Sequence, residues 1–218
     1  MRTHTGDATL APSVFISEKE RKMAKLYYQG HGSFRITAAN GKVAYVDPFM
    51  GDGYDLPADL VLITHEHYDH NDLSKITPAE GCKVFRGKNM TDGKRYDSGE
   101  KDGFVFRAVP ACNRNHKKPE CVGFIIEVDG VKIYAAGDTS TTDYMRSLAA
   151  ERLDYALLPT DGIYNMDAEE ASTCAALIKA KRSIPIHTKP DTPFDETVAA
   201  RFHADGKLVL RPGEEIGL

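Results

Sequence analysis

Through its first half the chain alternates short apolar runs with glycine, asparagine and aspartate breaks, and after about residue 141 the pattern lengthens into helical periods. Three β-type runs come first, near 25–28, 33–37 and 42–46. Gly30-His31-Gly32 separates the first two, and Asn40-Gly41, a dipeptide that accepts the positive φ of a tight hairpin, separates the next. Leu60-Val61-Leu62-Ile63 has no polar interruption, the pattern of a strand covered on both faces, and it stops abruptly at Thr64-His65-Glu66-His67-Tyr68-Asp69-His70. Further strands are predicted at 82–86, 104–109, 121–128 and 131–136, with Asp129-Gly130 turning the last pair. The second half predicts a helix near 142–150, a strand at 154–158, a helix near 167–180, a strand at 183–186, a helix near 193–204 and a last strand at 207–210. Two sheets with helices packed outside, an α/β sandwich, follow from this order. One domain over residues 24–218 is expected. An extension, residues 1–23, precedes it and has an isolated Val14-Phe15-Ile16 cluster among charges.

Composition narrows the functional classes. The chain has 218 residues, 41% hydrophobic and 28% charged, with a formal charge of −4, so it has no general attraction for polyphosphate or anionic lipid and no nucleic-acid or membrane partner is expected. The four cysteines, Cys82, Cys112, Cys121 and Cys174, show no Cys-x-x-Cys spacing and read as reduced thiols. No apolar run nears the ~20 residues that span a bilayer, and the N-terminus lacks the order of a secretion signal. A cytoplasmic protein acting on a small molecule is the expectation, and a homo-oligomer is compatible with it.

Chemistry concentrates after the fourth strand. His65, His67, Asp69 and His70 fall within six residues, and a loop leaving a strand can turn all four toward one point. Imidazole suits Zn, Fe, Mn or Ni, and a carboxylate among imidazoles favours a second divalent ion beside the first.

This His-x-His-x-Asp-His string resembles the signature of the metallo-β-lactamase superfamily, and the resemblance covers roughly residues 24 to 212. It implies a four-layer αββα sandwich of two mixed β-sheets with helices outside. It also implies that His65 and His67 bind one metal and that Asp69 and His70 bind another. A third histidine then completes the first site, an aspartate bridges the two, and a late histidine completes the second. His116 is the one histidine between His70 and His187 and takes the third place, with Cys112 and Cys121 as thiolate alternatives. Gly137-Asp138-Thr139 resembles the motif that supplies the bridging aspartate, Asp138, and Pro185-Ile186-His187 resembles the late strand that supplies the last ligand. Asp47 matches the early aspartate that orients a ligand histidine, and His31 is a second supporting candidate.

The resemblance implies one or two divalent ions, zinc first, with manganese, iron or nickel as alternatives. It further implies hydrolysis by a metal-bound hydroxide, with Asp69 and Asp138 as catalytic carboxylates and Asp138 receiving the proton. Arg114, Lys117 and Lys118 surround His116 and are candidates to hold an anionic substrate, and Asp161 and Tyr164 lie on a loop that can face the pocket. His4 and His203 read as surface residues. Within the superfamily, Gly30-His31-Gly32-Ser33-Phe34, Val109-Pro110-Ala111, Gly137-Asp138-Thr139 and the segment from Leu158 to Ala171 resemble the small hydrolases related to ascorbate-6-phosphate lactonase, which suggests a lactone or phosphate ester. A di-iron redox protein is the main alternative; His67 opposes it, because redox relatives place a carboxylate there. A non-catalytic metal- or ligand-sensing module is the next, and a nuclease, for which no long basic stripe is present, is the last.

Overall fold

In strand β4 (Ala58–Ile63) side chains alternate between two interiors: Leu60 and Leu62 enter the core between the sheets, whereas Val61 and Ile63 enter a second cluster behind. All four are fully buried, which accounts for the lack of polar positions in this run. The computed structural model describes residues 23–218. The predicted extension apart from Met23, with the Val14-Phe15-Ile16 cluster and His4, lies outside the described residues.

Around β4 a six-stranded mixed sheet forms from β1 (Lys25–Gly30), β2 (Ser33–Thr37), β3 (Val43–Val46), β5 (Pro78–Arg86) and β12 (Glu215–Gly217), in the order β12-β1-β2-β3-β4-β5. Pairing is antiparallel from β12 to β3 and parallel from β3 to β5. The second sheet has the same plan. It comprises β6 (Ser98–Lys101), β7 (Phe104–Pro110), β8 (Val122–Val128), β9 (Val131–Ala135), β10 (Tyr155–Pro159) and β11 (Arg182–Ile186), in the order β11-β10-β9-β8-β7-β6. Here β9, β10 and β11 run parallel. Tyr28, Phe34 and Leu62 of one sheet meet Phe106, Phe124 and Leu157 of the other. Burial of each such side chain contributes roughly 1.5–3 kcal/mol.

Helix α1 (Ala168–Ile178) and the short α2 (Glu196–Arg201) cover the outer face of the second sheet, where Cys174, Ile178 and Phe202 pack with Tyr134 and Leu158. Asp167 starts α1 by accepting the N–H groups of Glu169 and Glu170, and Asp195 starts α2 in the same way with Thr197 and Val198. The outer layer over the first sheet is thinner: Tyr54, Leu56 and Ile76, beside the 3₁₀ turn Leu73–Lys75, cover Tyr45, Val61 and Ile63. The αββα sandwich is thus the architecture, with its helices weighted to one side.

Several predicted elements differ. Residues Asp143–Glu151 form a 3₁₀ helix instead of an α-helix; Thr142 at its start makes no side-chain cap. The helix predicted near 193–204 shortens to six residues, since Asp195 caps it late and Phe202 turns extended to bury its ring. No strand occupies 207–210, where Lys207 alone bridges to Ser183; the last strand is β12, which completes the edge beside β1. Among the described residues no helix is long and apolar enough to cross a membrane.

Candidate metal centre

Five parallel-running strands, β3, β4, β9, β10 and β11, release the chain at one rim, and the residues that follow them are Asp47, Thr64-His65, Gly137-Asp138, Thr160-Asp161 and His187. Three residues that turn inward there adopt left-handed backbone: His31 (φ 54°), Asp47 (φ 46°) and His187 (φ 44°). Each costs on the order of 1–3 kcal/mol and persists only because surrounding contacts fix it, a pattern concentrated at functional sites.

The side chains converge in two groups that share a centre. One is His65, His67 and His116; the other is His31, Asp69, His70 and His187; the donor atoms within each lie within 4.8 Å of one another. Asp138 stands between them. Its Oδ1 is 3.3 Å from His70 Nε2, and its Oδ2 is 3.4 Å from His116 Nε2, 3.7 Å from His187 Nε2 and 4.0 Å from His65 Nε2. Asp69 Oδ2 lies 3.3 Å from His31 Nε2, 3.8 Å from His187 Nε2 and 3.9 Å from His70 Nε2. In the first group, His67 Nδ1 and His116 Nε2 are 3.2 Å apart.

The far sides of the rings show what these nitrogens are for. His70 Nδ1 faces Asp47 Oδ2 at 2.9 Å, His116 Nδ1 faces Asn113 Oδ1 at 2.9 Å, and His65 Nδ1 faces the Thr64 hydroxyl at 3.0 Å. That hydroxyl donates to Asp47 Oδ2, so its oxygen is left to accept from His65. His187 Nδ1 lies 3.1 Å from Asp161 Oδ2, an ion-pair distance without the alignment of a hydrogen bond. An acceptor behind each ring places the proton on Nδ1 and turns the Nε2 lone pair inward. The Nε2 atoms of His65, His70 and His187 are buried and have no hydrogen-bond partner. Buried polar atoms rarely go unpaired, and inward lone pairs around two carboxylates fit divalent cations.

The carboxylates and histidines also tune one another's charge. Burial alone would raise the Asp138 carboxyl, but His187, His70, His65 and His116 around it hold it well below the usual carboxylate range. Asp69 is opposed by burial in the same way and held low by His187, His31 and His70. Burial lowers His65, His116 and His31. For His187 and His70 the burial penalty is outweighed by the facing carboxylates, and both are raised.

The structure thus gathers His65, His67, Asp69, His70, His116, Asp138 and His187 at one point, and puts Asp47 and His31 against them. Cys121 does not substitute for His116: its thiol donates to the Asp138 carbonyl at 3.4 Å, and neither it nor Cys112 joins a donor group among the described residues. The sequence places Asp161 on a loop that can face the pocket. Instead its carboxylate is buried, takes the N–H groups of Ile163, Tyr164 and Asn165, and is aimed at His187. Asn113 escaped sequence reasoning; its only signal was a position three residues before His116.

Two cavities flank the centre. The larger, about 430 Å³, is lined by Tyr68, Asp69, Asn115, Asp138, Tyr164 and Asp191 among others, and the smaller, about 280 Å³, reaches His65, His67, Lys88 and Cys121. Tyr164 lines the larger cavity, 53% exposed at its mouth. Lys117 and Lys118 do not: both are exposed and line neither cavity. Arg114 is also absent from the linings and donates to the Ile163 carbonyl at 3.2 Å, strapping two loops together. Lys88 is the single cationic chain lining either cavity among the described residues, and it faces Glu66 at 3.4 Å.

Residues 25–187 match the family model described as the Beta-lactamase superfamily domain. A UPF0173 metal-dependent hydrolase of Thermococcus onnurineus is 31% identical over 226 residues, covering 90% of this chain and 100% of the relative. One from Methanoculleus marisnigri is 34% identical over 182 residues, covering 75% and 80%. The solved metallo hydrolase Igni18 of the hyperthermophilic archaeon Ignicoccus hospitalis superposes with a TM-score of 0.69 at 25% identity, over 90% of this chain and 98% of that one. Fold, donor groups and relatives together define a metallo-β-lactamase-fold hydrolase. Within that class, the chain belongs to the UPF0173 metal-dependent hydrolase family.

Proposed function

We propose that the chain hydrolyses a small, uncharged cyclic or open ester, a lactone before a phosphate ester, at a two-metal centre. The observation that carries this is the lining of the larger cavity: Glu66, Asp69, Asp138 and Asp191 with Tyr68 and Tyr164, and no lysine or arginine. With Asp69 and Asp138 given to the ions and Glu66 paired with Arg86 and Lys88, a phosphate dianion would still meet Asp191 at the mouth and no lysine or arginine in the lining to grip it in bidentate fashion. The anionic substrate expected from Arg114, Lys117 and Lys118 loses its support with their absence from the lining.

His65, His67 and His116 would hold one ion, for which three imidazoles and a carboxylate suit zinc, and Asp69, His70 and His187 the other, with Asp138 reaching both. Bound divalent ions supply Lewis acidity toward the ester carbonyl and lower the pKa of water. The protein's own groups do the rest. Asp138, 4% exposed and ringed by imidazoles, holds the two positions in register. Asp69, its carboxylate 19% exposed toward the cavity, is the better placed to take a proton from attacking water and return it to the leaving alkoxide. Tyr68, whose hydroxyl donates to Asp191 at 2.6 Å, and Tyr164 form the apolar walls of the mouth. The test is a panel of lactones and phosphate monoesters assayed with the metal-loaded protein, alongside Asp69→Asn. Lactone turnover lost in the variant is expected; preference for phosphate esters, or full activity without the Asp69 carboxylate, overturns the reading.

A further inference from the structure

We infer that His31 is itself a metal ligand. Its Nε2 is an added donor to the ion held by Asp69, His70 and His187, and it gives that position a preference for six-coordinate ions such as Mn2+ or Fe2+ over Zn2+. The inference rests on the two-metal reading above and extends it to a residue outside the pattern that His65, His67, Asp69, His70, His116, Asp138 and His187 make up.

His31 has the construction of a ligand. It is fully buried, and its side chain lies 3.3 Å from Asp69 Oδ2, with its ring 3.7 Å from that of His187, centroid to centroid. Like His65, His70, His116 and His187, it turns Nδ1 outward, here toward the Thr192 carbonyl at 3.3 Å. The Thr192 carbonyl and the Asp69 carboxylate are both acceptors, each 3.3 Å from one ring nitrogen; an ion bound beside Asp69 would leave the proton on Nδ1, facing Thr192, and turn the Nε2 lone pair to the metal. Nε2 lies within 4.8 Å of the donor atoms of Asp69, His70 and His187, the spacing of ligands around one ion.

The backbone of His31 is fixed more firmly than a supporting residue requires. Its N–H donates to the Pro193 carbonyl at 2.6 Å, and its carbonyl accepts both the His187 N–H and the Tyr28 hydroxyl at 2.8 Å. Those bonds hold the left-handed φ of 54° and lock His31 to His187 across the sheets. Counting Asp138, the second position then has five protein donors, one short of an octahedron, whereas the first has the four of a zinc tetrahedron.

The test uses the full chain, stripped of metal by chelation, reloaded with Zn2+ at the first position and Mn2+ at the second. Titration calorimetry counts the ions, and electron spin-echo spectroscopy on protein with labelled histidine counts imidazole nitrogens on Mn2+. Three nitrogens are expected for the wild type and two for His31→Asn, chosen because asparagine accepts positive φ. Mn2+ affinity in the variant should fall on the order of 10–100-fold, with Zn2+ affinity unchanged. Two nitrogens on Mn2+ in the wild type would overturn the role of His31 while leaving two metals in place. Fewer than two bound ions in the wild type would overturn the two-metal reading and this one with it. The nitrogen count needs no variant, so a His31→Asn chain that fails to fold does not spare the inference.

Discussion

Oδ2 of Asp47 lies 2.9 Å from Nδ1 of His70 and, at 2.7 Å, also accepts the Thr64 hydroxyl, which in turn faces Nδ1 of His65. One carboxylate therefore orients a histidine in each donor group, one directly and one through a hydroxyl.

This relay separates two variants. Thr64→Val removes the acceptor behind His65 alone and should weaken metal at the His65, His67 and His116 position on the order of 10–100-fold, leaving the other near wild type. Asp47→Asn should weaken both. Metal titrations that show equal losses in the two variants would refute the relay.

Asp161 offers a second case. Asparagine there keeps an oxygen for the N–H groups of Ile163, Tyr164 and Asn165 but loses the charge facing His187 and the Oδ2 that accepts the Asn165 side-chain amide at 2.8 Å. Asp161→Asn should lower metal affinity on the order of 10–100-fold, with a smaller loss of thermal midpoint from the broken Asn165 contact. A large loss of stability with unchanged affinity would make Asp161 a loop brace only.

Two glycines test the packing behind the donors. A Cβ on Gly32 would sit 3.0 Å from His70 Cε1, so Gly32→Ala should disturb metal binding with little cost to the fold. A Cβ on Gly137 would fall 2.6 Å from the Val122 carbonyl at a backbone φ of +64°. Gly137→Ala should therefore lower urea stability by at least ~1–3 kcal/mol and displace Asp138 as well.

Thiol labelling gives the pH prediction. Cys121 and Cys174 are buried and should react only after denaturation, whereas Cys82 and Cys112 are half-buried. Burial, then the Asp59 carboxylate, raises the Cys82 thiol above its ordinary value of 9.0. Folding thus favours the protonated thiol, a contribution complete below the unfolded value and lost as pH rises through the folded one. Cys82 alkylation should still be accelerating above pH 9, and Asp59→Asn should move that profile to lower pH.

Chelation should lower the thermal midpoint. Metal at ~100 times its dissociation constant adds about 2.7 kcal/mol, and removing it leaves Asp69 and Asp138 only the facing histidines, His70 and His187, to balance their charge. An identical melting curve before and after chelation would contradict the metal centre.

The strand ending at Ile63 and the density of histidines after it were legible because burial on both faces and metal chelation each leave a local mark. Asp138 and His187 were legible only by resemblance, their partners being distant in sequence. Asp161 and Asn113 were not, since a carboxylate or amide that satisfies loop N–H groups looks like any solvated loop residue until the fold closes over it. Lys117 and Lys118 misled for the converse reason: nearness to His116 in sequence says nothing of the direction in which an exposed loop aims its side chains. Strands β6 and β12 escaped because Ser98-Gly99-Glu100-Lys101 and Glu215-Ile216-Gly217 are short edge pieces without apolar alternation.

His31, His65, His67, Asp69 and His70 hang from the first sheet, and His116, Asp138 and His187 from the second. Neither half alone supplies every donor of either position. Because each position draws donors from both sheets, a bound ion would act as a rivet across the seam.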